Sequence, residues 1–113
     1  MALPPKIPKA PKRSTRWRSQ KHLNHVRSFA CSVCHSTAAI EVAHVRIGSG
    51  AGMGQKPDDW RTVSLCKPCH QEQHTGERTF WKDRDVEGLI QAFIDSSPAK
   101  HAIRDAQRER EAA

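Results

Sequence analysis

S-L-C-K-P-C-H-Q-E-Q-H, Ser64 to His74, sets Cys66 and Cys69 directly against His70 and His74. A run rich in β-branched residues, Thr62-Val63-Ser64-Leu65, leads into it, and this composition predicts a strand that ends at the cysteines. Pro68 suits the first turn of a helix and Gly76 suits its C′ position, so residues 68–75 should form about two helical turns. On that helix His70 and His74 stand at i and i+4 and share one face. Upstream, C-S-V-C at Cys31 and Cys34 matches C-K-P-C at Cys66 and Cys69. Two thiolate pairs supply the four ligands of a closed structural zinc, and two histidines one turn apart supply part of a second, open metal site.

Working outward, Ile40-Glu41-Val42-Ala43-His44-Val45 suits another strand, with His44 on it or just beyond it. Gly48 to Gly54 reads as a flexible loop. It lacks both the Gly-Lys-Ser/Thr and the G-x-G-x-x-G spacings of a phosphate cradle. Ser19 can cap a short helix through Arg27, with Leu23 and Val26 at i and i+3. Asp85 can cap a helix whose Val86, Leu89, Ile90, Phe93 and Ile94 form a packing stripe. Ser96-Ser97-Pro98 breaks that pattern, and residues 99–113 read as a charged, helix-prone tail without a continuous apolar face. No internal repeat is visible. The expected class is α+β, divided into a basic arm over 1–18, a domain over 19–95 and the tail over 96–113.

Composition fits a metal-stapled fold. The chain has 113 residues, 36% of them hydrophobic and 5% aromatic, so the apolar core is thin and a domain of this size needs a staple. Disulfides or redox chemistry are the rival uses of the thiols. No apolar signal stretch follows Met1, which favours a cytoplasmic setting in which reduced C-x-x-C pairs bind metal. No apolar run approaches the roughly 18 residues of a membrane span. A net charge of +7 argues for a polyanionic partner. Lys6, Lys9, Lys12, Arg13, Arg16, Arg18, Lys21 and Arg27 crowd the first quarter, and no acidic residue precedes Glu41. With Pro4, Pro5, Pro8 and Pro11 among the lysines, residues 1–18 cannot bury enough apolar surface to fold, and a disordered basic arm is expected. A solvated tail that merely aids solubility is its bland counterpart.

The order of C-x-x-C, then A-H-V, then L-C-x-x-C-H-x-x-x-H over residues 20–81 resembles the HNH endonucleases, the ββα-metal fold. His22-Leu23, K-P-D-D, L-C-K-P-C-H and H-T-G-E-R-T-F-W look most like the prophage-encoded, recombination-associated branch. The resemblance implies cleavage of DNA, with His44 as general base and His70 and His74 as ligands of one catalytic divalent cation (Mg2+, Mn2+ or Zn2+). Cys31, Cys34, Cys66 and Cys69 would make the structural Zn2+ site. His35 is a spare candidate ligand beside them. A prophage setting would imply recombination, repair or packaging, with a recombinase or another phage protein as a partner besides DNA.

Two positions depart from the family pattern. Ala43 stands where many members carry Asp or His as a third ligand. Water or phosphate then completes the shell, or His44 itself binds the ion, or the site is weakened. Arg61 lies where the middle Asn is usual, with Asp58 and Asp59 just before it. Asp59 is the candidate for the orienting role or for an extra ligand, weighed against a plain surface or turn carboxylate. His22, His25 and His101 read as solvated helical residues, and Trp60 and Trp81 as packing residues. A catalytically inactive zinc module that binds nucleic acid is the alternative, with Ala43 as its best support. A protein-interaction zinc module is a third class.

Overall fold

The computed structural model describes residues 2–8, 16–51 and 55–112. Gly52 and Gly54 of the glycine loop and Lys9, Lys12 and Arg13 of the arm lie outside them. The elements are α1 (Gln20–Arg27), β1 (Ile40–His44), β2 (Thr62–Cys66), α2 (Lys67–Thr75), α3 (Glu77–Trp81), α4 (Val86–Ser96) and α5 (Lys100–Ala112). This is a mixed α+β fold around a two-stranded sheet. No described helix is long and apolar enough to cross a membrane.

The strands pair antiparallel, with Ile40 opposite Cys66 and His44 opposite Thr62. All five residues of β2 are buried, because α1 and α2 pack on both strands and α4 packs on β2. Val63 and Leu65 therefore sit at the centre of a core that includes Val26, Val45, Ile94 and Ile103. Fully burying each of these larger side chains favours folding by about 1.5–3 kcal/mol. Cys66 is both the last residue of β2 and the N-cap of α2, and Pro68 occupies the first turn as expected. Strand thus passes into helix without a loop, fixing His70 and His74 relative to the sheet.

α1 begins at the expected cap, with Ser19 Oγ accepting from the His22 N–H at 3.2 Å. Its buried face is His22 and Val26 rather than Leu23 and Val26. His22 is wholly buried, which corrects the expectation of a solvated residue: its Nδ1 lies 2.8 Å from Ser97 Oγ just beyond α4. Gly76 ends α2 in extended backbone (φ −165°), not in the left-handed conformation common at C′, and also opens α3. Gly48 does need its freedom. Its φ is +72°, and a Cβ there would stand 3.0 Å from Glu87 Oε1.

Asp85 caps α4 by accepting from the Gly88 N–H at 2.9 Å, and Val86, Ile90, Phe93 and Ile94 turn inward. Beyond the Ser-Pro break, the expected tail docks as α5 through Ala99, Ile103 and Ala106, at i, i+4 and i+7. That stripe is narrow, but Ile103 is fully buried. At the other end, Arg16, Trp17 and Arg18, counted with the arm, are bonded to residues 50–59. The packed part of the chain therefore starts before residue 18.

Candidate functional site

The thiols of Cys31, Cys34, Cys66 and Cys69 come together between the 31–36 turn and the β2–α2 junction. Their sulfurs all lie within 4.8 Å of one another, the only such group of three or more metal-ligating residues among the described residues. The turn closes on itself through Cys31 N–H to Ser36 O (2.9 Å) and His35 N–H to Cys31 O (3.0 Å), with His35 left-handed at φ 63°. Ser32 N–H to Ser64 O (2.8 Å) laces it to β2. All four cysteines are free. Cys34 and Cys66 sulfurs are 3.5 Å apart, far longer than a disulfide and close to the edge of about 3.8 Å that a tetrahedron with 2.3 Å zinc–sulfur bonds requires. The donor set fits a structural metal ion.

Protonation points the same way. At Cys31 burial works to raise the thiol pKa, but hydrogen bonds from the backbone of Cys34, Cys66 and Val33 outweigh it and bring it down to about 6. Cys69 is pushed far up, by burial first and then by its three thiol neighbours. Cys31 ionises readily whereas Cys34 and Cys69 resist, so collecting four thiolates takes a cation and releases protons. His35 is exposed and outside the cluster.

A second feature lies along β1 and α2. An open cleft of about 420 Å³ is lined by Val42, His44, Arg46, Lys56, Pro57, His70 and His74. His44 ends β1, with its Nε2 2.9 Å from Asp59 Oδ1. A buried carboxylate accepts, so the pair favours the tautomer with hydrogen on Nε2, leaving Nδ1 free to take a proton. Burial lowers the His44 pKa below its ordinary value; Asp59 works to raise it, and the charge of Lys56 to lower it. The residue is therefore a neutral base at physiological pH.

Asp59 is 2% exposed, which removes the reading of a plain surface carboxylate. Besides His44 it accepts from the Ser19 N–H (2.8 Å) and from Arg18 Nη1 (3.3 Å). Arg61, at the position of the missing Asn, does other work: its guanidinium forks onto Glu87 of α4 (2.6 and 3.0 Å) and donates to Ile47 O (2.7 Å). It staples the loop after β1 and is not part of the cleft.

His70 and His74 stand on one face of α2 with ring centroids 4.6 Å apart. His70 Nδ1 lies 3.0 Å from Glu41 Oε1, an arrangement that puts hydrogen on Nδ1 and leaves the lone pair on Nε2. The two imidazoles thus line one cleft, and one of them is backed by a carboxylate. Ala43 is completely buried and offers nothing to it.

Glu41 and Gln73 were not singled out by sequence reasoning. Gln73, between the two histidines, donates to the His44 carbonyl at 2.9 Å, and Glu77 accepts from the Arg46 N–H at 2.6 Å. α2 and α3 thus grip the backbone on both sides of Val45. Alternation along β1 puts Glu41 on the side of Ala43, opposite His44, so only the tertiary packing of α2 reveals its contact with His70. Trp60 and Trp81 are buried, as expected of packing residues, although Trp60 also meets Trp17 at 5.6 Å between centroids.

Comparison with known proteins adds the family. Uncharacterized protein YdfU of Escherichia coli (strain K12) is 36% identical over 101 residues, covering 85% of this chain and 27% of that protein. The chain thus spans about a quarter of the length of this curated relative. No solved structure matches it. The family model described as "Protein of unknown function (DUF968)" matches residues 4–99, and the chain belongs to that family.

Proposed function

We propose that the chain is a metal-dependent endonuclease of the HNH type, with a zinc-stapled ββα-metal fold, that hydrolyses DNA phosphodiester bonds. The observation that carries this reading is the convergence of His44, His70 and His74 on one cleft, with Asp59 bonded to the far nitrogen of His44. Nδ1 of His44 takes the proton of the attacking water. Asp59 holds the ring in the required tautomer and stabilises the imidazolium that forms. His70 and His74 would hold the divalent ion, which when bound neutralises phosphate charge and stabilises the leaving oxygen. Lys56 and Arg46 on the cleft wall attract the phosphodiester. The four thiolates would hold zinc as a staple, separate from the chemistry. The likeness to the prophage-encoded branch supports a cytoplasmic role in recombination, repair or packaging beside a recombinase or another phage protein.

The test is plasmid cleavage with Mg2+, Mn2+ or Zn2+ added in turn. His44→Ala should lose on the order of 10²–10⁴-fold in rate while keeping most of its DNA affinity. Wild-type rates in that variant at saturating metal would overturn the assignment. A second reading, a catalytically inactive zinc module that binds nucleic acid, is favoured by one observation. Ala43 is buried, and no third ligand joins His70 and His74 in a close cluster among the described residues. Salt-dependent DNA binding with no cleavage under any of the three ions would decide for it.

A further inference from the structure

The segment that joins the basic arm to α1 is bonded to the loop that carries Asp59. Trp17 donates its N–H to Asp58 Oδ1 (2.7 Å), and Asp59 returns its own N–H to Trp17 O (2.9 Å). The Ser19 N–H reaches Asp59 Oδ2 at 2.8 Å. Arg18 spans three acceptors of that loop, with Nη1 on Pro57 O and on Asp59 Oδ1 (3.3 Å) and Nη2 on Lys56 O (3.1 Å), and its Nη1 also meets Trp17 O at 3.2 Å. Arg16 donates to Gly50 O (3.0 Å) and Gln55 Oε1 (3.2 Å) and lies 3.6 Å from Asp58. On the far side, Arg110 of α5 pairs with Asp58 and lies over the Trp60 ring.

Asp58 and Asp59 are each 2% exposed, and two adjacent buried carboxylates are costly unless cations and N–H groups satisfy them. Residues 16–19 supply most of those partners. Loop 55–59 has no strand or helix of its own to fix it. Thr62 Oγ1 holds the Asp59 carbonyl from β2 (2.8 Å), while the Asp59 carboxylate, which meets the His44 ring, takes its other partners from the N-terminal side.

We propose that Arg16–Ser19 is a positioning strap for the His44–Asp59 pair, with Arg18 the residue that fixes the Asp59 loop. The inference rests on the nuclease reading for its catalytic consequence, though not for its geometry. It gives the N-terminal segment two separable parts: residues up to 15, which carry Lys6, Lys9, Lys12 and Arg13, and residues 16–19, which belong to the site. A guanidinium is suited to the second part because its planar fork serves three oxygens at once. An ammonium has the charge without that reach.

Four proteins decide the matter: a deletion of residues 1–15, a deletion of residues 1–18, Arg18→Ala and Arg18→Lys. Each is assayed for DNA affinity, for single-turnover cleavage at saturating protein and Mg2+ or Mn2+, and for the ¹⁵N shifts of the His44 ring. The 1–15 deletion should bind more weakly, yet cut at saturation at the full-length rate and keep hydrogen on His44 Nε2. Deletion of 1–18 and Arg18→Ala should slow saturated cleavage on the order of 10–100-fold, the effect of a misplaced catalytic group, and give mixed His44 tautomers. Arg18→Lys should recover only a minor part of the rate. If the 1–18 deletion fails to fold, Arg18→Ala carries the test alone, with dispersion of its amide spectrum as the folding control. A folded Arg18→Ala protein with wild-type saturated rate and an unchanged His44 tautomer overturns the strap. If the full-length chain cuts nothing, the nuclease reading falls, and the ring shifts still decide whether Arg18 positions His44.

Discussion

Ala43 directs attention to its neighbours, because a buried methyl group leaves the histidine pair of α2 to other support. Glu41 is that support. Its carboxylate accepts from His70 Nδ1 at 3.0 Å and so orients a ring that lines the cleft. Removing such an outer partner typically costs 10–100-fold in metal affinity. Glu41→Ala should therefore weaken Mn2+ or Co2+ binding by about that factor, measured calorimetrically with the thiol site already filled by zinc. Glu41→Gln, which keeps an acceptor oxygen, should fall between the two. His22 makes a different prediction. Burial first, and then the charge of His25, lower its pKa from 6.5 to about 4, with Asp59 working the other way. The unfolded chain therefore takes up a proton near pH 6.5 that the folded chain refuses. Stability contributed by neutral His22 is full above pH 6.5 and lost as pH falls toward 4, about 3 kcal/mol in all. An NMR titration should find the His22 ring still neutral at pH 5; a midpoint near 6.5 would refute the assignment.

At the scale of elements, the cysteine pairs were legible because two C-x-x-C spacings are the pattern that four-thiol metal ligation imposes. Folding should depend on them. Cys66 closes β2, caps α2 and donates one of four thiols, so Cys66→Ser should abolish stoichiometric zinc and lower the unfolding temperature sharply. Elemental analysis with thermal unfolding checks this, and a variant as stable as wild type would show that the thiols are not a staple. β1, β2, α2 and α4 were legible for a similar reason: each carries its signal locally, in β-branched runs, Pro68 or the Asp85 cap. What was not legible depends on contacts distant in sequence. His22 looked solvated because its partner, Ser97, is 75 residues away. α5 looked unanchored because a two-alanine stripe around Ile103 is a weak pattern until α4 lies beneath it. Asp59 resembled a turn carboxylate until Arg18 and Ser19 came to cover it. In the candidate site the ligand types could be read from residue identity, whereas Glu41, Gln73 and Arg18, which set their geometry, could not.

Across the whole molecule, part of the positive charge is engaged in holding the fold. Eight cations lie between Lys6 and Arg27. Arg16 and Arg18 are engaged with the Asp58–Asp59 loop, whereas Lys21 and Arg27 are exposed on α1. Ahead of residue 16 remain Lys6, Lys9, Lys12 and Arg13, and Lys56 and Arg46 line the cleft that an arm bound along the same backbone would feed. Each phosphate contact on duplex DNA contributes about 0.9 to the slope of log K against log salt. Deleting residues 1–15 should therefore flatten that slope by at most about 3.6, four contacts at 0.9 each, and by similar amounts on unrelated sequences, since phosphate contacts carry no base information. The residual slope belongs to the folded part, and Lys56→Ala should reduce it by a further unit or so. Binding of full-length and truncated protein at four or five salt concentrations measures both quantities. An unchanged slope on deletion would make the arm a solvated tail and assign the affinity to the cleft and α1. A change well beyond 3.6 would mean that the deletion had released residues 16–18 from the loop, which the saturated cleavage rate would report at once.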